Sequence, residues 1–112
     1  MAKNPMDLLH GTLDVLVLKS LAGGPAHGYA VSRSIEARTA GVFAVEDAAL
    51  YKALHRLEAT GAIESDWGVS ESNRKAKYYQ LTRRGRAMLK TETDVWHRYA
   101  AAVLSVLKAA EA

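Results

Sequence analysis

The last thirty residues, 83–112, constrain this chain most. Thr82 suits a helix N-cap, and the residues after it read as one helix of roughly 27 residues, about 40 Å at 1.5 Å per residue. Met88, Val95, Trp96, Tyr99, Val103, Val106 and Leu107 recur at threes and fours along it and draw an apolar seam down most of its length. The rest of the chain is too small a body to cover a rod of that length. The natural burial partner is a second copy, so these seven residues are the candidate dimerisation set.

With 112 residues, 49% of them hydrophobic, the remainder amounts to one domain with a modest core. The expected division is a folded unit over 1–82 and the terminal helix over 83–112. The chain has no cysteine, which excludes a disulfide framework and thiolate metal sites and suits a reducing cytoplasm. The most apolar run near the start, Val15 to Leu18, lies between Asp14 and Lys19 and is too short and too charged to cross a membrane or act as an export signal. The expectation is a soluble, cytoplasmic protein with no membrane partner.

Before the terminal helix the pattern is helical three times. Residues 7–21 carry leucine and valine on nearly every side, so that helix needs burial from two directions. The GGP at 23–25 ends it, and residues 28–39 resume a helical pattern in which Val31 and Ile35 share a face. After an apolar connector at 41–45, Glu46 and Asp47 supply the acid favoured where a helix starts. In this third helix Leu50, Leu54 and Leu57 fall at i, i+4 and i+7 with Ala53 beside them, an inward stripe that Gly61 caps. The other face presents Ala48, Lys52, His55, Arg56 and Ala59, with Tyr51 at its edge. Small residues permit close approach to a groove and the donors and cations supply contacts, yet taken alone this face reads as well as an ordinary solvated surface.

The segment after Gly61 decides between those readings. A strand over 62–67, a turn-rich tip over 68–75 and a second strand over 76–82 form a hairpin. Residues 71–90 hold Arg74, Lys75, Lys77, Arg83, Arg84, Arg86 and Lys90 against the single acid Glu71, a local +6 in a chain whose formal net charge is +3. Cation this concentrated implies a polyanionic partner. Three helices and then a basic hairpin make a mainly α (α+β) winged helix-turn-helix with a two-stranded β-wing and a long C-terminal dimerisation helix. In that arrangement the helix carrying Tyr51, Lys52, His55 and Arg56 enters the major groove of double-stranded DNA, and Asn73, Arg74, Lys75 and Lys77 grip the backbone or the minor groove. A two-fold homodimer then matches the half-sites of a near-palindromic operator. Arg83, Arg84 and Arg86 sit at the positive end of a helix dipole, where either approaching phosphates or solvent screening must compensate them.

No catalytic constellation accompanies this. His10, His27, His55 and His97 share no ligand spacing with carboxylates, and neither a nucleophile motif nor a phosphate-cradling glycine loop is present, so neither enzyme activity nor a cofactor or metal is expected. His27 reads as a capping or packed histidine. Trp96 lies on the seam, where a flat aromatic either packs against the second copy or stacks a small aromatic effector; Tyr99 and Leu8 could line the same space.

Three segments, LLHGTLDVLVLKSLAGGPAHGYAV at 8–31, ALYKALHRLEATGAIES at 49–65 and NRKAKYYQLTRRGR at 73–86, resemble the PadR family of bacterial transcriptional regulators. With the terminal helix the likeness spans nearly the whole chain and is closest to the short members of the family. The resemblance implies a homodimeric repressor relieved by a small effector, in some relatives a planar compound held between terminal helices. It also implies that Tyr51 and the basic wing residues contact DNA. Asp47, Ala48 and Ala49 stand where the family often has glycine and a small hydroxyl residue, and Lys52 replaces a frequent proline, so a charge-assisted phosphate contact can substitute for a hydroxyl one. A winged-helix module that binds another protein and never DNA is the competing reading; it predicts that Arg74 and Lys75 can be neutralised without consequence.

Overall fold

The computed structural model describes residues 12–109, in the order α1 Leu13–Ser20, β1 Ala26–His27, α2 Gly28–Arg38, α3 Asp47–Ala59, β2 Ile63–Val69, β3 Lys75–Leu81 and α4 Arg83–Ala109. The stripe read from α3 is its buried face. Leu50, Ala53, Leu54 and Leu57 meet Val17, Leu18 and Leu21 from the first helix and its exit, Val31 and Ile35 from α2, and Ile63, Tyr79 and Leu81 from the sheet. Each fully buried leucine of this kind contributes roughly 1.5–3 kcal/mol relative to exposure. α1 is contacted by α2, α3 and α4, which meets the expectation that it be covered from more than one side. The stretch expected to begin that helix at residue 7, Leu8 included, lies outside the described residues.

The sheet departs from the expected two-stranded wing. Ala26 and His27 pair antiparallel with Tyr79 and Tyr78, giving three strands in the order β1-β3-β2. Two residues are too few to display alternation, so nothing in the local pattern announces this strand. Pairing of β2 with β3 runs from Ile63 opposite Leu81 to Val69 opposite Lys75. The tip is consequently shorter than 68–75. The Ser70 N–H donates to the Arg74 carbonyl at 2.8 Å and the Asn73 N–H to the Ser70 carbonyl at 2.9 Å, and Asn73 takes a left-handed φ of 61°. Asparagine tolerates that conformation better than most residues, so Asn73 has a reason to be present that is independent of any ligand.

α4 starts where the sequence places it. The Thr82 hydroxyl accepts the Gly85 N–H at 3.1 Å and lies 2.6 Å from the Gly61 carbonyl, to which it donates. Here the helix is pressed onto the α3–β2 turn: a Cβ on Gly85 would lie 1.9 Å from the Ala62 carbonyl oxygen. Met88 and Leu89, one turn on, pack half-buried against the core. Part of Met88, the first residue of the expected seam, is thus already covered by the domain. On an ideal helix at about 100° per residue, Val95, Trp96, Tyr99, Val103, Val106 and Leu107 continue the same azimuth over an arc of about 120°. These six are exposed, as is Leu104 on the far side. The described residues extend 56 × 31 × 21 Å, the long axis reflecting this projecting helix.

Candidate nucleic-acid interface

Between α3 and the wing lies a cleft of about 850 Å³ floored by the start of α2. Of the residues assigned to DNA from sequence, Tyr51 and His55 line its α3 wall and Arg74, Lys75 and Lys77 its wing wall. Strand alternation explains the wing side: Lys75 and Lys77 share with Tyr79 and Leu81 the face of β3 turned toward the helices, and beyond the core that face becomes the cleft wall. Tyr51 is held by a close approach. Its hydroxyl sits 2.8 Å, and its ring carbon Cζ 3.0 Å, from where a Cβ on Gly28 would be. Any side chain at residue 28 would push that ring aside.

Three of the eight are not part of this cleft. Lys52 is exposed on the outer face of α3. Asn73 belongs to the tip turn. Arg56 is taken up by Asp14 of α1, its Nε donating to one carboxylate oxygen at 3.2 Å and an Nη to the other. The bidentate hydrogen bond raises the guanidinium pKa further above its ordinary value. The structure thus gives Arg56 an intramolecular partner 42 residues away in sequence, with half of its side chain still exposed.

The cleft also contains residues that sequence reasoning did not assign. His27 caps α2, its Nδ1 accepting the Ala30 N–H at 3.1 Å, which fulfils the capping role expected of it. The same ring stands edge-on to Tyr78 with centroids 5.4 Å apart, and its Nε2 lies 3.7 Å from a Glu71 carboxylate oxygen. The one acid of the basic stretch thus lines the cleft beside His27 with its side chain 90% exposed. Tyr29 is 65% exposed there. Tyr79 contributes from below; burial is the main influence raising its hydroxyl above the usual tyrosine range, assisted by the Glu58 carboxylate and Tyr51. Trp67 projects from β2 into the cleft, with the Lys75 ammonium 5.0 Å from its ring centroid. The alternation of β2 carried a signal for Trp67, which shares a parity with buried Ile63. His27 and Glu71 meet only through the fold and had none.

Cations, aromatic faces and hydroxyls arranged along an open channel suit an extended polyanion with stackable or apolar parts. Among the described residues no group of three or more histidines and carboxylates could hold a metal ion, and no helix is long and apolar enough to cross a membrane. On α4, Trp96 and Tyr99 form an edge-to-face pair with centroids 5.7 Å apart.

Residues 17–91 match the family model described as the transcriptional regulator PadR-like family. A relative from Lysinibacillus sphaericus, an uncharacterised protein, is 33% identical over 90 residues, covering 80% of this chain and 83% of its own. Among solved structures, a PadR family transcriptional regulator from Eggerthella lenta is 34% identical with a TM-score of 0.75, covering 90% of this chain and 86% of its own. A transcriptional regulator from Clostridium thermocellum is 29% identical with a TM-score of 0.78 over 87% of this chain and 94% of its own.

Proposed function

The chain belongs to the PadR-like family of transcriptional regulators, and from that premise we propose that it acts as a homodimeric repressor that reads a near-palindromic operator and is released by a small aromatic effector. It is a DNA-binding regulator. The observation that supports the DNA-reading part of this proposal is the cleft in which Tyr51 and His55 face Arg74, Lys75 and Lys77. α3 enters the major groove, the backbone strand lies in the cleft, and the wing follows into the adjacent minor groove. Lys52, exposed on the outer face of α3, reaches a flanking phosphate. The exposed seam from Val95 to Leu107 joins two copies and so sets two copies of α3 at one half-site spacing. A planar effector stacks against Trp96 and Tyr99 at that seam and shifts the spacing. The domain, with Gly85, Met88 and Leu89 of α4 packed onto it, does the reading, and α4 from Val95 onward the pairing, in the cytoplasm.

The test is binding of the duplex upstream of its own coding sequence, across a salt series, beside an unrelated duplex of equal length. A steep negative dependence of log K on log salt with a preference retained at every salt is expected. Replacing Arg74 or Lys77 by alanine should weaken both duplexes alike and flatten the slope by up to about one unit per lost phosphate contact. Equal binding of the two duplexes throughout would refute operator reading, and indifference to the Arg74 change would favour a protein partner instead.

A further inference from the structure

Trp67 shares a face of β2 with Ile63 and Ser65, but where Ile63 is buried beneath α3 the tryptophan has passed the end of the core and is 60% exposed. Val69, next on that face, is 65% exposed. In register, Trp67 stands opposite Lys77 and Val69 opposite Lys75. Two successive cross-strand pairs on the cleft side therefore each match an apolar residue with a lysine. The Lys75 ammonium reaches back to within 5.0 Å of the indole centroid, so ring and cation are already associated. Trp67 and Val69 are exposed side by side on one face, and contiguous apolar surface of this kind, rather than a single exposed ring, marks contact surfaces. A nucleic-acid strand alternates in the same way, an anionic phosphate and then an apolar sugar edge.

We propose that Trp67 is a DNA-contact residue of this chain, its ring packing on the deoxyribose edge of the strand seated in the cleft while Lys75, held over the ring, takes the neighbouring phosphate. This rests on the reading of the cleft as the DNA site and adds to it an apolar contact that the charges do not supply. The flat ring accepts any sugar, so Trp67 adds affinity on every sequence. Because it removes no counterions from the duplex, its contribution is independent of salt, unlike that of a lysine.

Labelled-duplex anisotropy with the full chain separates the possibilities. Trp67→Ala should lower affinity about tenfold at each salt concentration with the slope unchanged, Trp67→Phe should lose less, and Lys75→Ala should flatten the slope by up to about one unit. Tryptophan emission gives a second readout. In the Trp96→Phe protein, whose one remaining tryptophan is Trp67, saturating duplex should change the emission and acrylamide quenching. The proposal is overturned if neither changes although the duplex binds. It is equally overturned if Trp67→Ala merely reproduces the slope change of Lys75→Ala with no further loss in the double variant, since the ring would then only hold the lysine. Failure of the unmodified protein to bind any duplex would strike the underlying reading instead.

Discussion

Gly85→Ala sets two sizeable effects against each other and so tests how α4 is seated. Alanine is the better helix former by about 1 kcal/mol in a helix interior, so propensity alone predicts stabilisation. The new Cβ, however, would lie 1.9 Å from the Ala62 carbonyl oxygen and 3.3 Å from a Leu81 methyl. A carbon–oxygen contact needs about 3.3 Å, so the start of α4 must withdraw by about 1.4 Å from a rigid backbone neighbour. That withdrawal breaks the bond from the Thr82 N–H to Ala62, now 3.1 Å, and strains the Thr82 hydroxyl contact with Gly61; each is worth about 1 kcal/mol. It also lifts Met88 and Leu89 partly off the core, a loss of about 2 kcal/mol. Propensity offsets only part of this, leaving a net destabilisation of about 3 kcal/mol. For a domain of this size the melting temperature should fall by about 10–20 °C, followed by far-UV circular dichroism and checked by urea unfolding. Gly23→Ala is the control: nothing lies within 4 Å of its added Cβ, so its melt should hold or rise slightly. A Gly85→Ala melt at or above that of the unmodified protein would refute the clamp.

Gly28→Ala should behave oppositely, because what it meets is the mobile end of a half-exposed tyrosine: the melt should stay near wild type while DNA affinity falls several-fold in anisotropy, and unchanged affinity would show that Tyr51 is not a contact. Arg56→Ala should leave affinity within about twofold and change stability by less than about 1 kcal/mol, as expected for an exposed pair with Asp14, and a large affinity loss would return Arg56 to the interface. Tyr79 is an acid whose folded pKa is raised, so the folded state holds its proton more tightly; its stabilisation is intact below about pH 10, the unfolded value, and fades as pH rises through the folded one. Tyr79→Phe should therefore flatten the alkaline fall of melting temperature with pH, and an unaltered fall would refute that assignment.

Local periodicity made the helices legible. Leu50, Leu54 and Leu57 repeat at helical spacing because one face of α3 is buried, and Thr82 stands at the start of α4 because an N-cap needs a side-chain oxygen. The family was legible too, from three ordered motifs. The features that stayed hidden depend on chain segments far apart. β1 exists because Tyr78 and Tyr79 offer it an edge, Arg56 has a partner because Asp14 reaches it from α1, and Met88 is partly covered because the core extends one turn further along α4 than periodicity alone could say. The wing cations were visible as charge, whereas the cleft they form with His27, Tyr29 and Trp67 required the fold.

The clamp at Gly85 also turns α4 into a lever. With its first turn fixed to the α3–β2 turn and no room for slip, α4 is a stiff arm about 40 Å long, and a pivot of about 5° at Trp96, about 20 Å along it, displaces the near end by about 1.7 Å. An effector lodged at the proposed seam need not reach the DNA-binding surface, or melt anything, to spoil its fit. In the proposed dimer, tilting one arm against the other would move a whole reading head off its half-site.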